Sequence, residues 1–330
     1  MKWKVLALLR FFLAWVVVGY HLSEFVPNSN KDILCNLGKL NGLAAVFVFL
    51  VLSGYGIGHS IAKEPQGFYK RRLWRIYPLY FSAVLFTFIP LLVSSQPVKT
   101  LRTEYSLPDL GTVLGNLLFM QNVAVDPIWA NVPLWILGFE AICYALTPFF
   151  VKIGNKILMA LMGLSAVFYG AFPYIYEAIY PKAKVPFYSY FLYGIPLLLV
   201  LWSWLLGFLY FQNNESNLWK AILVGLGTVL LIVNQYHTGK LGILTYLIGS
   251  LVIVFSSSIK VPKFINGTLN YLGEISYPLY LFHFPTLIFA YTILGVRNSF
   301  SHAFLVLAVS LVFYLLIEVP VRRLRKKVEG

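Results

Sequence analysis

Two ionisable side chains, Arg10 and His21, stand in the first apolar stretch of the chain, where such residues are rare. Residues eleven apart on an α-helix return to within roughly 20° of the same face and lie about 16 Å apart along its axis. A guanidinium binds anions, and an imidazole titrates close to neutrality, which suits it to proton transfer. Since ionisable residues inside a membrane segment usually serve function, the pair predicts one helix face with a chemical task at each end.

A group of basic residues precedes the third apolar stretch, in the segment Tyr69–Pro78. Arg72 and Arg75 are three residues apart and share one face if the segment is helical. Arginine side chains bind phosphate oxygens through paired hydrogen bonds, so the segment predicts a site for a phosphate-rich ligand. The same residues also fit a topological function, in which positive charges and aromatic anchors mark the inner membrane interface. The sequence alone leaves both interpretations open.

Glu140 lies several residues inside the fourth apolar stretch, within Trp135–Tyr144. An isolated carboxylate is costly there, so Glu140 requires a partner or a water-filled cavity. Its possible partners are Arg10, His21 and the arginines before the third stretch. A structural clamp between helices and a catalytic function fit the pattern equally well.

His283 stands between Pro278 and Pro285 in the ninth apolar stretch, which predicts a locally irregular helix. Irregular backbone is tolerated inside a membrane where it lines a cavity, so His283 is a second candidate histidine for a functional site. A hydrogen-bonded structural histidine explains the pattern equally well. Glu318, which closes the tenth stretch, is expected to form a structural pair with a following arginine at the membrane interface.

The composition of the chain is that of an integral membrane protein. Of its 330 residues, 59% are hydrophobic and 12% are charged, and the mean hydropathy is +0.76. Soluble domains contain about 25% charged residues, whereas apolar stretches of about 20 residues recur here along the whole length. The net charge of +14 is spread beside these stretches, so it indicates membrane topology and not nucleic-acid binding. Cys35 and Cys143 show no metal-binding spacing, and no metal site is expected.

The apolar stretches predict a single transmembrane domain, 1–330, built as an all-α bundle of about ten membrane-spanning helices without a fused soluble domain. Lys and Arg are about twice as frequent in the loops on the side of the N-terminus, so both termini are expected to be cytoplasmic. The longest connection, 96–132, contains an apolar segment, Leu110–Met120, that is expected to form a re-entrant or interfacial helix. Gly54 and Gly58 have the spacing of a close helix contact. The predicted spans are 5–25, 41–62, 76–95, 133–152, 156–174, 188–211, 218–236, 241–258, 275–294 and 300–319.

Taken in order, these features resemble the motifs of the bacterial acyltransferase-3 family of membrane O-acyltransferases. The resemblance covers nearly the whole chain. Gly138 and Phe139 stand where the family commonly has Ser-Val, and Cys143 stands where it commonly has Phe. The matching segments are Arg10-x10-His21, Ser53-Gly54-Tyr55, Arg71-Arg72-x-x-Arg75, Trp135-x-Leu137-x-x-Glu140, Ile275–His283 and Glu318-x-Pro320-x-x-Arg323.

The resemblance implies transfer of an acyl group, most often acetyl, from cytoplasmic acyl-CoA to a hydroxyl of a cell-surface glycan or its lipid-linked precursor. Acyl-CoA is then a co-substrate, no metal is involved, and the protein is expected in the bacterial inner membrane. Some members carry a fused extracytoplasmic hydrolase-like domain that completes the transfer. This sequence shows none, so a soluble extracytoplasmic partner is a further expectation.

The resemblance and the residue chemistry together predict how the site is divided. His21 is expected to act as the general base on the acceptor hydroxyl, with Glu24 one helical turn further along to orient it. Glu140 and His283 are expected to assist the proton transfer. Glu24 also fits an ordinary interfacial carboxylate, and an acyl-enzyme on a histidine or on Ser53 stays open. The residues expected to bind the CoA phosphates are Arg10, Lys70, Arg71, Arg72 and Arg75.

Two other classes of protein fit parts of the pattern. A multi-pass secondary transporter or flippase for a sugar or lipid-linked glycan explains ten spans, broken helices and buried ionisable residues. It does not need a cytoplasmic arginine cluster. A structural subunit of a polysaccharide export machine is the third class. Saturable thermal stabilisation by CoA would distinguish the enzyme from the transporter.

Overall fold

The computed structural model describes residues 2–94 and 96–329, and these residues are mostly helical. Helices suit an apolar chain in a membrane because each helix satisfies its own backbone hydrogen bonds. Two short strands, β1 Val98–Lys99 and β2 Glu104–Tyr105, form an antiparallel hairpin. The α-helices are α1 Lys2–Leu22, α2 Ile33–Leu37, α3 Gly42–Lys63, α4 Phe68–Val93, α5 Leu110–Leu117, α6 Trp135–Lys152, α7 Asn155–Ile179, α8 Ile195–Gln212, α9 Asn217–Val233, α10 Gly239–Phe255, α11 Asn266–Thr292, α12 Ser299–Phe313 and α13 Val319–Glu329.

Seven helical segments within the described residues are long and apolar enough to cross a membrane. They confirm the prediction of an all-helical integral membrane protein. α9 and α10 are apolar but contain 17 residues each, and α11 has 27 residues with many polar side chains in its first half. Each of the ten predicted spans coincides with a helix, but the number ten and the cytoplasmic position of both termini stay predictions. The seven segments are Lys2–Leu22, Gly42–Lys63, Phe68–Val93, Trp129–Lys152, Asn155–Ile179, Ile195–Gln212 and Ser299–Arg325.

α3 packs against α1, α6, α8 and α10, with its most extensive contact on α8. Glycines let the backbones of α3 and α8 touch: a Cβ atom at Gly54 would lie 2.0 Å from the carbonyl oxygen of Trp204, and Gly207 makes the reciprocal approach. A Cβ atom at Gly58 would lie 2.7 Å from the ring of Phe211. The predicted close contact at Gly54 and Gly58 is confirmed. It fixes α3 rigidly, and α3 forms one wall of the site.

α1 packs against both α3 and α11. A Cβ atom at Gly273 on α11 would lie 2.4 Å from the Cβ atom of Ala7 on α1. The two helices run side by side in the same direction, and the last turn of α1 therefore reaches the middle of α11. There the ring centroids of His21 and His283 are 5.4 Å apart. Two histidines that are 262 residues apart in the sequence are thus neighbours in the fold.

The long connection between α4 and α6 folds over the end of the bundle where α1 ends. It contains the β1–β2 hairpin, α5, and a 3-10 turn, Trp129–Leu134, that leads into α6. The predicted helix over Leu110–Met120 extends only to Leu117. Eight residues rise about 12 Å and cannot cross a membrane. Asn116 ties α5 to the rest of the connection, because its side chain donates to the carbonyl of Asp126 at 2.8 Å and accepts from the N–H of Ile128 at 3.2 Å.

The C-terminal helix is tied to α11 by ion pairs. Arg322 Nε lies 2.6 Å from Glu318 Oε1, and the same guanidinium also pairs with Glu274 on α11. The predicted structural pair between Glu318 and a following arginine is confirmed. Glu318 lies in a π-helical turn, Tyr314–Glu318, between α12 and α13.

Candidate active site

A cavity of about 450 Å³ lies between α1, α3, α4, α6 and α11, at the end of the bundle where α1 begins and α3 ends. We call it the basic cavity. Its five lysine and arginine residues outnumber its two carboxylates. The ionisable residues that line it, apart from tyrosines and His59, are Arg10, Lys63, Glu64, Arg71, Arg72, Arg75 and Glu140.

Within the described residues, Arg10 and Arg72 of the basic cavity lack a carboxylate partner, and Arg75 acts on Glu140 from beyond ion-pair distance. None of the ion pairs within the described residues involves Arg10, Arg72 or Arg75. Arg72 donates to the hydroxyl of Ser60 and lies 5.7 Å from the centroid of the Phe68 ring. The Nε–H groups of Arg10 and Arg72 are buried without a hydrogen-bond partner among the described residues. Buried charge without compensation is expensive, so the arrangement favours a bound anion.

The other two predicted basic residues differ from these three. Arg71 lines the basic cavity but is held by Glu64, whose carboxylate lies 3.1 Å from Arg71 Nη1, and by the backbone carbonyls of Glu64 and Gln66. It closes the short link between α3 and α4. Lys70 is exposed and does not line the cavity. The helix turns it away from Arg72, which corrects the expectation that Lys70 shares the phosphate site.

Glu140 lies in the basic cavity and not in the cavity that contains His21. Its carboxylate lies beside Ser53 and Tyr144, whose hydroxyls are 3.0 Å apart, and Arg75 is the cation that acts on it. The structure therefore groups Glu140 with the arginines among its predicted partners. It does not bring Glu140 to His21 as a direct partner in proton transfer.

A second cavity, of about 690 Å³, lies at the opposite end of α1 and contains His21. We call it the His21 cavity. Its walls come from the end of α1, the start of α3, α11, and the loops before α6 and α8. Aromatic rings and carboxylates dominate its lining. The polar and aromatic residues concerned include Tyr20, His21, Glu24, Glu104, Tyr105, Asp109, Asp126, Trp129, Trp135, Phe187, Ser189, Tyr190 and Phe284.

The surroundings of His21 supply a second imidazole and apolar packing. The His21 ring packs edge-on against Phe284, with centroids 4.9 Å apart, and lies 5.4 Å from the ring of His283. His283 is fully buried, and its Nδ1 lies 2.7 Å from the carbonyl oxygen of Tyr280. A carbonyl oxygen only accepts, so Nδ1 of His283 carries the proton and Nε2 keeps a lone pair when the ring is neutral. Nε2 has no hydrogen-bond partner among the described residues.

The position of Glu24 corrects a prediction. α1 ends at Leu22, so Glu24 is not one helical turn beyond His21 on the same face. Its carboxylate accepts hydrogen bonds from the hydroxyl of Tyr105 and, at 3.5 Å, from that of Thr100. Glu24 lines the His21 cavity, but no hydrogen bond within the described residues joins its side chain to His21. It anchors the long connection over this end of the bundle.

The two cavities share two lining residues, Val46 on α3 and Tyr280 on α11. The Tyr280 hydroxyl donates to the carbonyl oxygen of Pro133 at 2.8 Å, and its ring packs edge-on against Phe49. Val46 and Tyr280 thus form a septum between the cavities. Arg10 and His21 lie on one helix as predicted, and they line different cavities that meet at Val46 and Tyr280.

No sequence pattern predicted several of the residues that line the two cavities. Tyr280 precedes His283 by three residues, a spacing that places both on one helix face, and this was the only local hint of the septum. Trp129, Ser189 and Tyr190 reach the His21 cavity from loops. Within the described residues, no group of three or more His, Cys, Asp or Glu side chains is placed to hold a metal ion.

The helical bundle and its two cavities define a multi-pass membrane protein with an arginine-rich cavity next to a cavity that contains a histidine pair. Residues 3–319 match the family model for the acyltransferase domain of the acyltransferase-3 family. The chain belongs to this family and is a membrane acyltransferase. The match gives no support to a transporter or flippase. The comparisons with curated proteins and with solved structures gave no match.

Proposed function

We propose that the protein transfers an acyl group, most often acetyl, from cytoplasmic acyl-CoA to a hydroxyl of a cell-surface glycan or its lipid-linked precursor, in the bacterial inner membrane. The family supports acyl transfer, while the donor and the acceptor are part of the proposal. One observation carries it: buried, uncompensated guanidinium groups lie in a cavity that adjoins a pair of histidines. An anionic donor with a long uncharged arm fits that arrangement.

The donor occupies the basic cavity in this proposal. Arg72 and Arg75 bind phosphate oxygens of CoA, and Arg10, further along α1, extends the positive surface toward the septum. The pantetheine arm is uncharged and flexible, so it can follow the apolar wall of α3. The thioester then reaches Val46 and Tyr280, where a shift of the septum admits it to the His21 cavity.

The reaction takes place at His21 in this proposal. The acceptor hydroxyl gives its proton to the imidazole while its oxygen attacks the thioester carbonyl carbon. The carbon–sulfur bond breaks, the CoA sulfur leaves with the electron pair, and it takes the proton from the imidazolium. The products are an ester and CoA with a free thiol. His283 lies beside His21, and its proton on Nδ1 is fixed by Tyr280, so it presents a second neutral acceptor nitrogen.

A binding experiment tests the donor site. Replacing Arg72 and Arg75 together by Ala is expected to weaken acetyl-CoA binding by at least about a hundredfold, since each charged hydrogen bond contributes about 1.5–3 kcal/mol. Thermal stabilisation of the detergent-purified protein by acetyl-CoA measures the affinity. Wild-type binding is expected to weaken with added salt, and the double variant is expected to lose most of that dependence.

A matched control comes from the same helix. Lys70→Ala removes a positive charge from α4 outside the basic cavity, and it is expected to leave acetyl-CoA binding unchanged. Equal affinities of the wild type and the double arginine variant would overturn the proposed donor site. If the double variant and Lys70→Ala lose equal affinity for acetyl-CoA, the proposed donor site is also contradicted, because the loss then reflects a general effect of surface charge.

A further inference from the structure

We propose that the His21 cavity selects acceptors without negative charge, and that the group it binds is a neutral or amino sugar. The inference rests on the proposed function, because it concerns the acceptor of the same reaction. It goes further by excluding anionic glycans, such as those built from uronic or sialic acids, as the unit that enters the cavity.

The charge of the His21 cavity is opposite to that of the basic cavity. Glu24, Glu104, Asp109 and Asp126 line it, and no lysine or arginine is among its lining residues within the described chain. A cavity with one sign of charge and low-dielectric walls concentrates counter-ions and repels ions of its own sign. An anionic sugar would have to enter against this field.

The carboxylates do not contribute equally. Glu104 lies 3.0 Å from Lys99 Nζ, so this pair is close to neutral. Glu24 accepts hydrogen bonds from uncharged hydroxyls, and no lysine or arginine forms an ion pair with it within the described residues. Asp109 caps α5, and hydrogen bonds from the Thr112 hydroxyl and backbone lower its pKa, so it is ionised at neutral pH. With Asp126, three carboxylates without an ion-pair partner in the described part of the chain line the cavity, whereas Arg102, which acts on the lining residue Tyr20, lies outside the lining.

Two further observations point to a sugar as the ligand. Trp129 and Tyr190 pack against each other at the cavity with their ring centroids 4.6 Å apart and their planes tilted by 31°, and Tyr190 is 63% exposed. An exposed aromatic surface of this kind fits the apolar face of a pyranose ring. Ser189 lines the same cavity, is 1% exposed, and its hydroxyl has no partner among the described residues. The carboxylates and the free hydroxyl can form hydrogen bonds with the hydroxyls of a sugar, and the aromatic rings can pack against its apolar face.

The charge of each cavity can be measured without knowing the acceptor. Ser106→Cys places a thiol in the His21 cavity, and Gly56→Cys places one in the basic cavity, where a Cβ atom meets no neighbour within 4 Å. The native thiols give little background: Cys143 is buried, and burial raises the pKa of Cys35 to about 12. The reaction of the unmodified protein with the same reagents measures the remaining reactivity of the native cysteines.

Each variant is treated in detergent with trimethylammonioethyl methanethiosulfonate, a cation, and with sulfonatoethyl methanethiosulfonate, an anion. Each rate is divided by the rate of the same reagent with free cysteine. We expect the cation to react at least about tenfold faster at Ser106→Cys and the anion to react faster at Gly56→Cys. A preference for the anion at Ser106→Cys would overturn the inference.

An acceptor experiment tests the sugar class. The probes are three β-1,4-linked tetrasaccharides: chitotetraose, its de-N-acetylated cationic form, and an anionic tetraglucuronate. We expect the first two to bind in saturation-transfer NMR and the third to bind at least about tenfold more weakly. Tyr190→Ala is expected to weaken sugar binding while acetyl-CoA still stabilises the protein. Equal or tighter binding of the anion, or binding of none of the three, would overturn the inference.

The two proposals fail in different ways. If the wild-type protein shows no saturable binding of acetyl-CoA, the proposed function is contradicted. Retained acetyl-CoA binding with a preference for anionic sugars would contradict only the inference about the acceptor.

Discussion

The basic cavity and the His21 cavity are built from different kinds of structure. Helices α1, α3, α4, α6 and α11 form the walls of the first, and its arginines lie on α1 and α4. Loops contribute much of the second, including the connection that carries Tyr105 and Trp129. Loops vary more readily than packed helices, whose side chains are fixed by their neighbours. In the proposed function, packed helices therefore hold the donor, whereas the acceptor meets loops that can change without disturbing the bundle.

The two cavities also differ in how their charges are compensated. Arg10 and Arg72 have no carboxylate partner within the described residues, whereas Glu24 and Asp109 accept hydrogen bonds from neutral donors. Each cavity therefore keeps a net charge of its own sign. The following variants test the two sides separately, from the largest expected effect to the smallest.

Replacing His21 by Ala is expected to lower acyl transfer about 10²–10⁴-fold, because the acceptor hydroxyl loses its general base. Binding of acetyl-CoA in the basic cavity should stay within twofold of the wild type, about 0.4 kcal/mol. Transfer is measured by mass spectrometry of the glycan, and binding by thermal stabilisation. Transfer at the wild-type rate would contradict the general-base function.

Enlarging the septum residue Val46 to Trp is expected to lower transfer about a hundredfold, because the thioester no longer reaches His21 in a reactive geometry. Acetyl-CoA binding should be kept, since the guanidinium groups are unchanged. Val46→Ala serves as the control and should transfer at close to the wild-type rate. An active Val46→Trp protein would show that the donor does not pass between the cavities here.

Gly54→Ala is expected to lower the stability of the bundle by about 1–3 kcal/mol, since the new Cβ atom would lie 2.0 Å from a backbone oxygen of α8. The midpoint of thermal unfolding in detergent measures the loss. Gly56→Ala is the matched control on the same helix, because its Cβ atom meets nothing within 4 Å. A similar midpoint in the two variants would contradict the close α3–α8 contact.

Asp126→Asn is expected to give the smallest effect. It removes one negative charge at the exposed rim of the His21 cavity with little change of shape. The cation-to-anion rate ratio at Ser106→Cys should fall about two- to threefold, and the ratio at Gly56→Cys should not change. If Asp126→Asn changes neither ratio, Glu24 and Asp109 alone determine the electrostatic potential of the His21 cavity.

Much of the fold and of the donor side could be predicted from local pattern. Apolar runs predicted the helices, and the spacing of Arg72 and Arg75 placed them together on α4. Small residues at Gly54 and Gly58 predicted a close helix contact. Each of these predictions depends on residues within a few turns of one helix, and helix geometry alone relates them.

The acceptor side could not be predicted in the same way. Glu24 was placed one turn beyond His21, but α1 ends at Leu22, and helix ends are the least certain part of any pattern. Trp129 and Tyr190 are 61 residues apart and meet only because two loops fold over the same end of the bundle. On the donor side, Lys70 is basic like Arg71 and Arg72, but its position on α4 directs it away from the cavity that they line.

Tyr280 on α11 acts in two ways, one through its ring and one through its backbone carbonyl. The ring of Tyr280 separates the cavities, while its backbone carbonyl holds the proton of His283 on Nδ1. A movement of the helix that swings the ring aside would also shift the carbonyl that fixes the tautomer of His283. In the proposed function, passage of the thioester past the ring and the tautomer of the neighbouring imidazole are therefore mechanically linked.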